Sequence, residues 1–223
     1  MFNRIKYGLW TSLLIGLSIL GISNKARGQQ HISFEFLPGG AIISPSPLFI
    51  RQEEYSDINY IARYSTKSFR LPIYYSWRLA YILNENSSLS LELNHLKIYL
   101  DNPVTEIDQF SITHGFNQLW FNYTRNIEYF NLTAGLGPVI AHPENTIRGL
   151  KFDQNQGIQN KGYYLSGISM QFALQKQFFF CNHFFFSLET KLNMAYSKIN
   201  IVNGFARVSI LGINGLAGFG IVI

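Results

Sequence analysis

The histidines best placed to do chemistry lie near the ends of predicted strands: His95, His114 and His142. A histidine beside an acid and a hydroxyl can act as a general base, and Ser111 with Glu106 or Glu92 offers such partners. Triads are defined by geometry, which spacing alone does not give. The three histidines are therefore candidate catalytic residues without an assigned site, and ordinary hydrogen-bonded histidines at loops or at a membrane interface are favoured.

Metal and cofactor sites are not indicated by the remaining motifs. The stretch His142-Pro143-Glu144-Asn145 holds a metal-capable histidine and carboxylate, but the proline predicts a loop turn. Cys181 is the single cysteine, which excludes an internal disulfide and a cysteine-based zinc site. Gly135-Leu136-Gly137-Pro138 is glycine-rich, yet no helix follows it to complete a phosphate cradle. We predict no metal and no cofactor.

The first 28 residues have the order of a secretory signal peptide. Arg4 and Lys6 precede an apolar run over 9–22, and Ala26-Arg27-Gly28 supplies small residues before a predicted cleavage at Gln29. The run is shorter than the ~20 apolar residues that a spanning helix needs. We therefore predict a signal peptide over 1–28 and one domain over 29–223, with a signal anchor as the alternative.

The basic character of the chain resides mainly in that leader. The whole chain has 18 Lys and Arg against 13 Asp and Glu, a net charge of +5. Residues 1–28 hold four of the basic residues and no acid, which leaves a net charge of +1 for 29–223. Charge therefore gives no support to nucleic-acid binding.

Period-two alternation of apolar with polar or small residues predicts an all-β chain of eight strands. The predicted strands are 31–37, 70–80, 88–94, 110–123, 130–137, 164–175, 184–197 and 206–223. Changes of phase predict bulges near His95 and Gly115. Connections are short near 81–87, 124–129 and 176–183, and longer at 39–66, 101–109, 141–161 and 198–205. Such alternating lengths are typical of a single antiparallel transmembrane barrel.

The two faces of the predicted strands differ in polarity. One face carries large apolar residues, including Trp77 and the stripe from Phe184 to Tyr196. A membrane barrel turns that face to lipid, whereas a lipocalin-type barrel hides it inside. The opposite face holds small residues and charges, which suit a narrow lumen filled by side chains. The predicted polar network of the lumen comprises Glu35, Arg70, Arg78, Glu92, Asn94, Glu189 and Lys191.

This pattern resembles small bacterial outer-membrane barrels of the OmpA, OmpX and OmpW kind, over the whole of 29–223. The resemblance implies a location in the bacterial outer membrane and contact with its lipid and lipopolysaccharide. It also implies insertion by the barrel-assembly machinery. Such chains usually end in an aromatic residue, whereas this one ends in Ile223, with Phe219 four positions earlier.

A second resemblance is local. His114-Gly115-Phe116-Asn117 resembles the His-x-Ser-Asn stretch of PagL-type lipid A deacylases, but Phe116 occupies the position of the nucleophilic serine. The sequence thus favours a non-enzymatic outer-membrane barrel whose external loops bind a partner, not identified by the sequence, or brace the envelope. A lipid A-modifying deacylase or acyltransferase stays open as an alternative, as does a soluble periplasmic lipocalin-like binder.

Overall fold

The computed structural model describes residues 31–223, so the predicted signal peptide lies outside the described residues. The strands are β1 (Ile32–Ile43), β2 (Ser46–Gln52), β3 (Ile58–Ala62), β4 (Tyr64–Ser65), β5 (Tyr75–Asn84), β6 (Ser87–Leu100), β7 (Ile107–Ile127), β8 (Phe130–Ile147), β9 (Leu150–Lys151), β10 (Tyr164–Phe179), β11 (Phe184–Ile201) and β12 (Gly204–Val222). Residues 31–223 contain no helix long and apolar enough to cross a membrane.

Eight of these strands close into a ring in the order β1-β5-β6-β7-β8-β10-β11-β12, because β12 pairs back onto β1. Every pairing around the ring is antiparallel. The predicted eight-stranded antiparallel barrel is confirmed. The four short strands lie at one end of the ring, where β2 extends β12 sideways and pairs with β3, β4 pairs with β6 and β9 pairs with β8.

The connections differ at the two ends of the barrel. Tight turns at 85–86, 128–129 and 180–183 lie at the end that also holds His31 and Ile223. The connections over 44–74 and 148–163 lie at the opposite end, which we call the outer end. The predicted long loop at 198–205 is wrong, because β11 and β12 run on to a two-residue turn in which Asn203 has φ 53°.

Two bulges interrupt the ladders, and both follow from the phase changes in the sequence. The β6–β7 register shifts between Leu96 and Ile98, and the β7–β8 register shifts between Ile112 and Phe116. Gly115 lies inside the second bulge with φ 131°, a conformation that residues with a Cβ rarely adopt. The predicted bulges near His95 and Gly115 are confirmed.

The outer wall carries a continuous apolar belt across the middle of the barrel. Its exposed side chains include Leu91, Leu136, Phe172, Leu188 and Ile213. On β8 the belt runs from Phe130 to Ile140 and is followed on the same face by His142 and Glu144. This is the polarity of a membrane-spanning barrel, with apolar side chains outward.

The interior changes polarity along the barrel axis. Inward-facing Glu92 and Asn94 of β6 give way to Leu96 and Ile98 toward the outer end, and all four are buried. β7, β11 and β12 change in the same way, and their buried residues form one apolar core with the β2–β3 hairpin. We call the outer part of the barrel, together with β2, β3, β4 and β9, the extension; it is built like a soluble barrel, with its apolar side chains inside.

Candidate functional site

The polar interior of the membrane-type part is organised around Arg78. Its Nη1 donates to Glu35 Oε2 at 3.1 Å, and its Nη2 donates to Glu92 Oε2 at 2.8 Å and Glu189 Oε2 at 2.7 Å. These charges come from β5, β1, β6 and β11, so one guanidinium joins opposite walls of the lumen. All four side chains are buried, which makes their mutual pairing a requirement of the fold.

Lys191 completes this network from β11. Its ammonium contacts Glu92 Oε1 and lies 3.1 Å from Glu189 Oε1. Two cations therefore face three carboxylates. The free oxygen of the third, Glu35 Oε1, accepts hydrogen bonds from Ser187 Oγ at 2.7 Å and Gln175 Nε2 at 3.0 Å. Neutral donors thus compensate the excess negative charge locally.

A layer of amides lies directly outward of the charges. Tyr74 donates to Asn94 Oδ1 at 2.6 Å, and Asn94 Nδ2 donates to Gln118 Oε1 at 2.7 Å. Gln118 Nε2 in turn donates to Asn193 Oδ1 at 2.7 Å, across the lumen from β7 to β11. Asn214 Nδ2 reaches the Tyr74 hydroxyl from β12 at 2.5 Å. This layer separates the charged network from the apolar core.

The structure brings together most of the polar residues that the sequence assigns to the lumen. Glu35, Arg78, Glu92, Glu189 and Lys191 touch one another, and Asn94 lies in the amide layer above them. The assignment of Arg70 to the lumen is wrong. β5 begins only at Tyr75, and Arg70 is exposed in the preceding segment, where its carbonyl accepts a hydrogen bond from Lys97 Nζ at 2.6 Å.

Eight further buried residues of the network, all uncharged, are absent from the prediction: Tyr74, Gln118, Asn122, Gln171, Gln175, Ser187, Asn193 and Asn214. The signal that could have identified them is their position in the strand alternation, on the face opposite the lipid-facing residues. Gln171 and Gln175 alternate with lipid-facing Met170, Phe172 and Leu174 on β10, as the lumen charges do on their own strands.

The lumen is filled among the described residues. A polar cavity of only about 50 Å³ reaches Glu35 and Arg78 from the end with tight turns. On the outer side, Leu37, Leu96 and Phe116 are at most 1% exposed and pack over the amide layer. An eight-stranded barrel is narrow enough for side chains to fill it, as they do here.

A second cluster lies on the outer wall, just beyond the apolar belt. His142 and Glu144 are two residues apart on β8 and share its outward face, and His114 projects from the bulge of β7. His114 Nδ1 lies 2.6 Å from Glu144 Oε1, and the two imidazole centroids are 4.9 Å apart. The ligand-capable atoms of the three residues lie within 4.8 Å of one another. We call these residues the outer-wall histidine cluster.

His142 is the buried member of this cluster. Its residue is 7% exposed, and its Nδ1 has no hydrogen-bond partner, since Glu144 Oε1 is 3.9 Å away. Its Nε2 lies against Gly162, where an added Cβ would come within 2.7 Å. Burial, reinforced by the neighbouring His114, lowers the pKa of His142, so its ring is neutral at neutral pH.

The predicted loop turn at His142-Pro143-Glu144-Asn145 is wrong, because these residues lie within β8. Pro143 fits there because the register of β8 with β10 ends at Ala141, so the missing N–H costs no ladder bond on that side. Strand geometry, which the proline obscured, places His142 and Glu144 on one face.

Among the described residues, His114 and its neighbours do not have the arrangement of a hydroxyl–histidine–acid relay. Thr113 Oγ1 and Glu144 Oε1 both approach the same nitrogen, Nδ1 of His114, whereas a relay uses opposite ring nitrogens. Ser111 Oγ donates to the backbone carbonyl of Glu144 at 3.2 Å. His95 lies apart from the cluster and pairs through Nδ1 with Asn117 Oδ1 at 2.8 Å.

A third feature is a group of cations on β2, β11 and β12, just beyond the belt. Lys198 lies 4.3 Å from the ring centre of Phe205, and Arg207 lies 5.3 Å from that of Phe49. Arg51 stacks on the same Phe49 ring at 5.3 Å and pairs with Asp57. Aromatic rings thus hold an outer cation patch, defined as Arg51, Lys198 and Arg207, against the wall.

No protein-family model matches this chain, and no curated protein matches it. Among solved structures it is similar to Ail, the attachment invasion locus protein of Yersinia pestis, with 12% identity and a TM-score of 0.38 over 87% of this chain and 100% of that one. It is also similar to the outer membrane protein OprG of Pseudomonas aeruginosa, with 12% identity and a TM-score of 0.44 over 88% of this chain and 98% of that one. The outer membrane protein AlkL, solved in lipid bilayers, gives 12% identity and a TM-score of 0.45 over 91% of this chain and 95% of that one.

Proposed function

We propose that this chain is an integral barrel of the bacterial outer membrane that anchors a rigid β-structured extension on the outer side. The observation that supports this proposal is the inversion of polarity along one continuous barrel. Apolar side chains face outward in the belt and inward in the extension. Outward-facing apolar side chains fit the belt to lipid, and inward-facing apolar side chains fit the extension to water.

The belt has the dimensions that a bilayer requires. On β8 it extends from Phe130 to Ile140, which matches the ~9–11 tilted residues of a transmembrane strand. Closure of the ring satisfies the backbone of every belt strand, which is the condition for crossing hydrocarbon. Its insertion would use the barrel-assembly machinery, as expected for this architecture.

The extension, rather than the lumen, is the functional part of this proposal. The charged network, the amide layer and the apolar core fill the lumen in succession, which argues against a general pore. The β2–β3 hairpin is fixed to the extension by Arg148, which donates to Gln52 Oε1 at 3.2 Å and to the Ser56 carbonyl at 2.8 Å. A braced, exposed sheet of this kind suits binding of an external partner or bracing of the envelope.

The outer cation patch is placed to contact the lipid headgroups. Lys198 follows lipid-facing Tyr196 on β11. Arg207 on β12 is the register partner of Lys198, so the two cations lie side by side on the outer wall. Phosphate groups of lipopolysaccharide would meet these cations at the membrane surface, where each Lys or Arg contributes ~1 kcal/mol to binding an anionic leaflet.

Membrane fractionation with a gel-mobility assay tests the anchor. We expect detergent to be required for extraction, and the unheated protein to migrate differently from the boiled one. Planar bilayers containing the protein should show no steady conductance. Extraction without detergent and a single mobility would contradict the proposal.

The single cysteine offers a test of orientation. Cys181 lies exposed in the turn over 180–183, at the end opposite the extension. A bulky PEG-maleimide applied to intact cells should leave Cys181 unlabelled and should label a Cys181→Ser/Ser56→Cys variant. Labelling of Cys181 together with protection of Ser56→Cys would reverse the proposed orientation.

A further inference from the structure

We propose that the outer-wall histidine cluster binds one divalent transition-metal ion of the zinc class through His114, His142 and Glu144. Two imidazoles and a carboxylate form a ligand set that suits zinc and its neighbours in the first transition row. This site goes beyond the proposed anchoring function and does not depend on it.

The fit of the three side chains to a metal ion follows from their distances. Tetrahedral zinc with bonds of ~2.0–2.2 Å holds its ligand atoms ~3.3–3.5 Å apart. Glu144 Oε1 lies 2.6 Å from His114 Nδ1 and 3.9 Å from His142 Nδ1, values on either side of that separation. The His114 side chain is 64% exposed, so a small rotation of the ring can increase its 2.6 Å distance to Glu144 Oε1 without disturbing the fold.

The buried histidine carries the strongest indication of a ligand. His142 Nδ1 is buried, faces Glu144 and His114, and has no hydrogen-bond partner. Buried polar atoms are nearly always satisfied, and a metal ion shared with His114 and Glu144 would satisfy this one. The other nitrogen, Nε2, lies on the opposite side of the ring against Gly162, where an added Cβ would come within 2.7 Å of it.

Two glycines, Gly115 and Gly162, shape the backbone around these ligands. Gly115 allows the β7 bulge that aims His114 toward β8, with φ 131°. Gly162 allows the connection over 148–163 to pass directly over the His142 ring. A metal ion here would join β7 to β8 across a register shift, where the ladder itself is interrupted.

The fourth coordination position would face a cavity of about 490 Å³ that includes Thr113, His114 and Glu144 in its lining. The same cavity is lined by Lys67, Arg70, Asp101 and Asp108. The three protein ligands would thus leave one position open toward a polar pocket of mixed charge, where water would complete the shell.

Cobalt binding provides the direct test, since Co²⁺ replaces zinc and reports its geometry by visible absorption. The full chain is expressed without a histidine tag, purified from membranes in detergent and stripped with a chelator. We expect one equivalent of Co²⁺ to bind with a tetrahedral spectrum and to be displaced by Zn²⁺. His142→Ala and Glu144→Gln should each weaken binding at least about tenfold.

Two further variants keep this test independent of folding. His114→Ala removes an exposed ligand and should weaken binding by a similar factor while heat-modifiable migration is kept. His31→Ala removes an exposed histidine at the opposite end of the barrel and should leave binding unchanged. Absent binding, or binding that survives His114→Ala and Glu144→Gln, would overturn the proposal.

Discussion

Arg78 and Glu92 are register partners on β5 and β6, and both Nε and Nη2 of Arg78 donate to the same oxygen, Glu92 Oε2, at 3.0 and 2.8 Å. The guanidinium still reaches Glu189 on the far wall. One residue therefore combines a contact between neighbouring strands with a contact across the lumen. Its removal should affect the whole barrel and not only one hairpin.

We predict that Arg78→Leu destabilises the barrel by ~3–5 kcal/mol, because it leaves buried carboxylates without their shared cation. Unfolding by urea in detergent micelles, followed by tryptophan fluorescence, measures the loss. Arg70→Leu is the matched control, since Arg70 is exposed, and it should change stability by less than ~0.5 kcal/mol. Equal losses in the two variants would contradict the network.

The lipid-facing belt gives a second prediction. Leu136 is 51% exposed at the middle of the belt on β8. Leu136→Arg should cost ~2–4 kcal/mol in lipid, because a charge at mid-bilayer loses its hydration. The same substitution at Ile61, which is 57% exposed on β3 in the extension, should be nearly neutral. The free energies of unfolding of the two variants are compared in phospholipid vesicles. A comparable loss of stability for Ile61→Arg would argue against exposure of the extension to water.

Much of the fold could be predicted from the sequence because period-two alternation directly reports two-sided strands. The bulges at His95 and Gly115 were also visible, since a one-residue insertion shifts every later side chain to the other face. The outer ends were harder to predict. Residues 198–205 contain Asn200, Asn203 and Gly204, which favour a turn, yet the pairing over Lys198 to Ile201 continues the ladder.

The candidate sites were also predictable only in part. Charged members of the network were predictable because a charge on the face opposite the lipid has to be paired. Arg70 was misplaced because its alternation with Leu71 and Ile73 continues into a segment that forms no strand. The outer-wall histidine cluster could not be predicted, because Pro143 indicated a turn where β8 continues, and because a bulge near Gly115 does not by itself fix the direction of the His114 side chain.

Close approach of β7 and β8 gives a third prediction. A Cβ at Gly137 would lie 1.7 Å from the carbonyl oxygen of Leu119, a backbone atom that cannot rotate away. Gly137→Ala should therefore destabilise the barrel by ~1–3 kcal/mol. Gly215 has no neighbouring atom within 4 Å of its added Cβ, so Gly215→Ala should be neutral. Urea unfolding of both variants is the measurement, and a neutral Gly137→Ala would refute the tight packing.

The outer cation patch gives the last prediction, which follows from the proposed contact with anionic lipid. Wild-type protein should be more stable in vesicles containing lipopolysaccharide than in neutral phosphatidylcholine. Lys198→Gln/Arg207→Gln should remove ~2 kcal/mol of that difference, because each cation near an anionic surface contributes ~1 kcal/mol. Added salt should reduce the wild-type difference as well, since exposed charges are screened. Arg63→Gln/Lys151→Gln removes two exposed cations elsewhere in the extension and should leave the difference unchanged. An equal effect from both pairs would mean that net charge, and not the position of the patch beside the belt, governs the response to lipid.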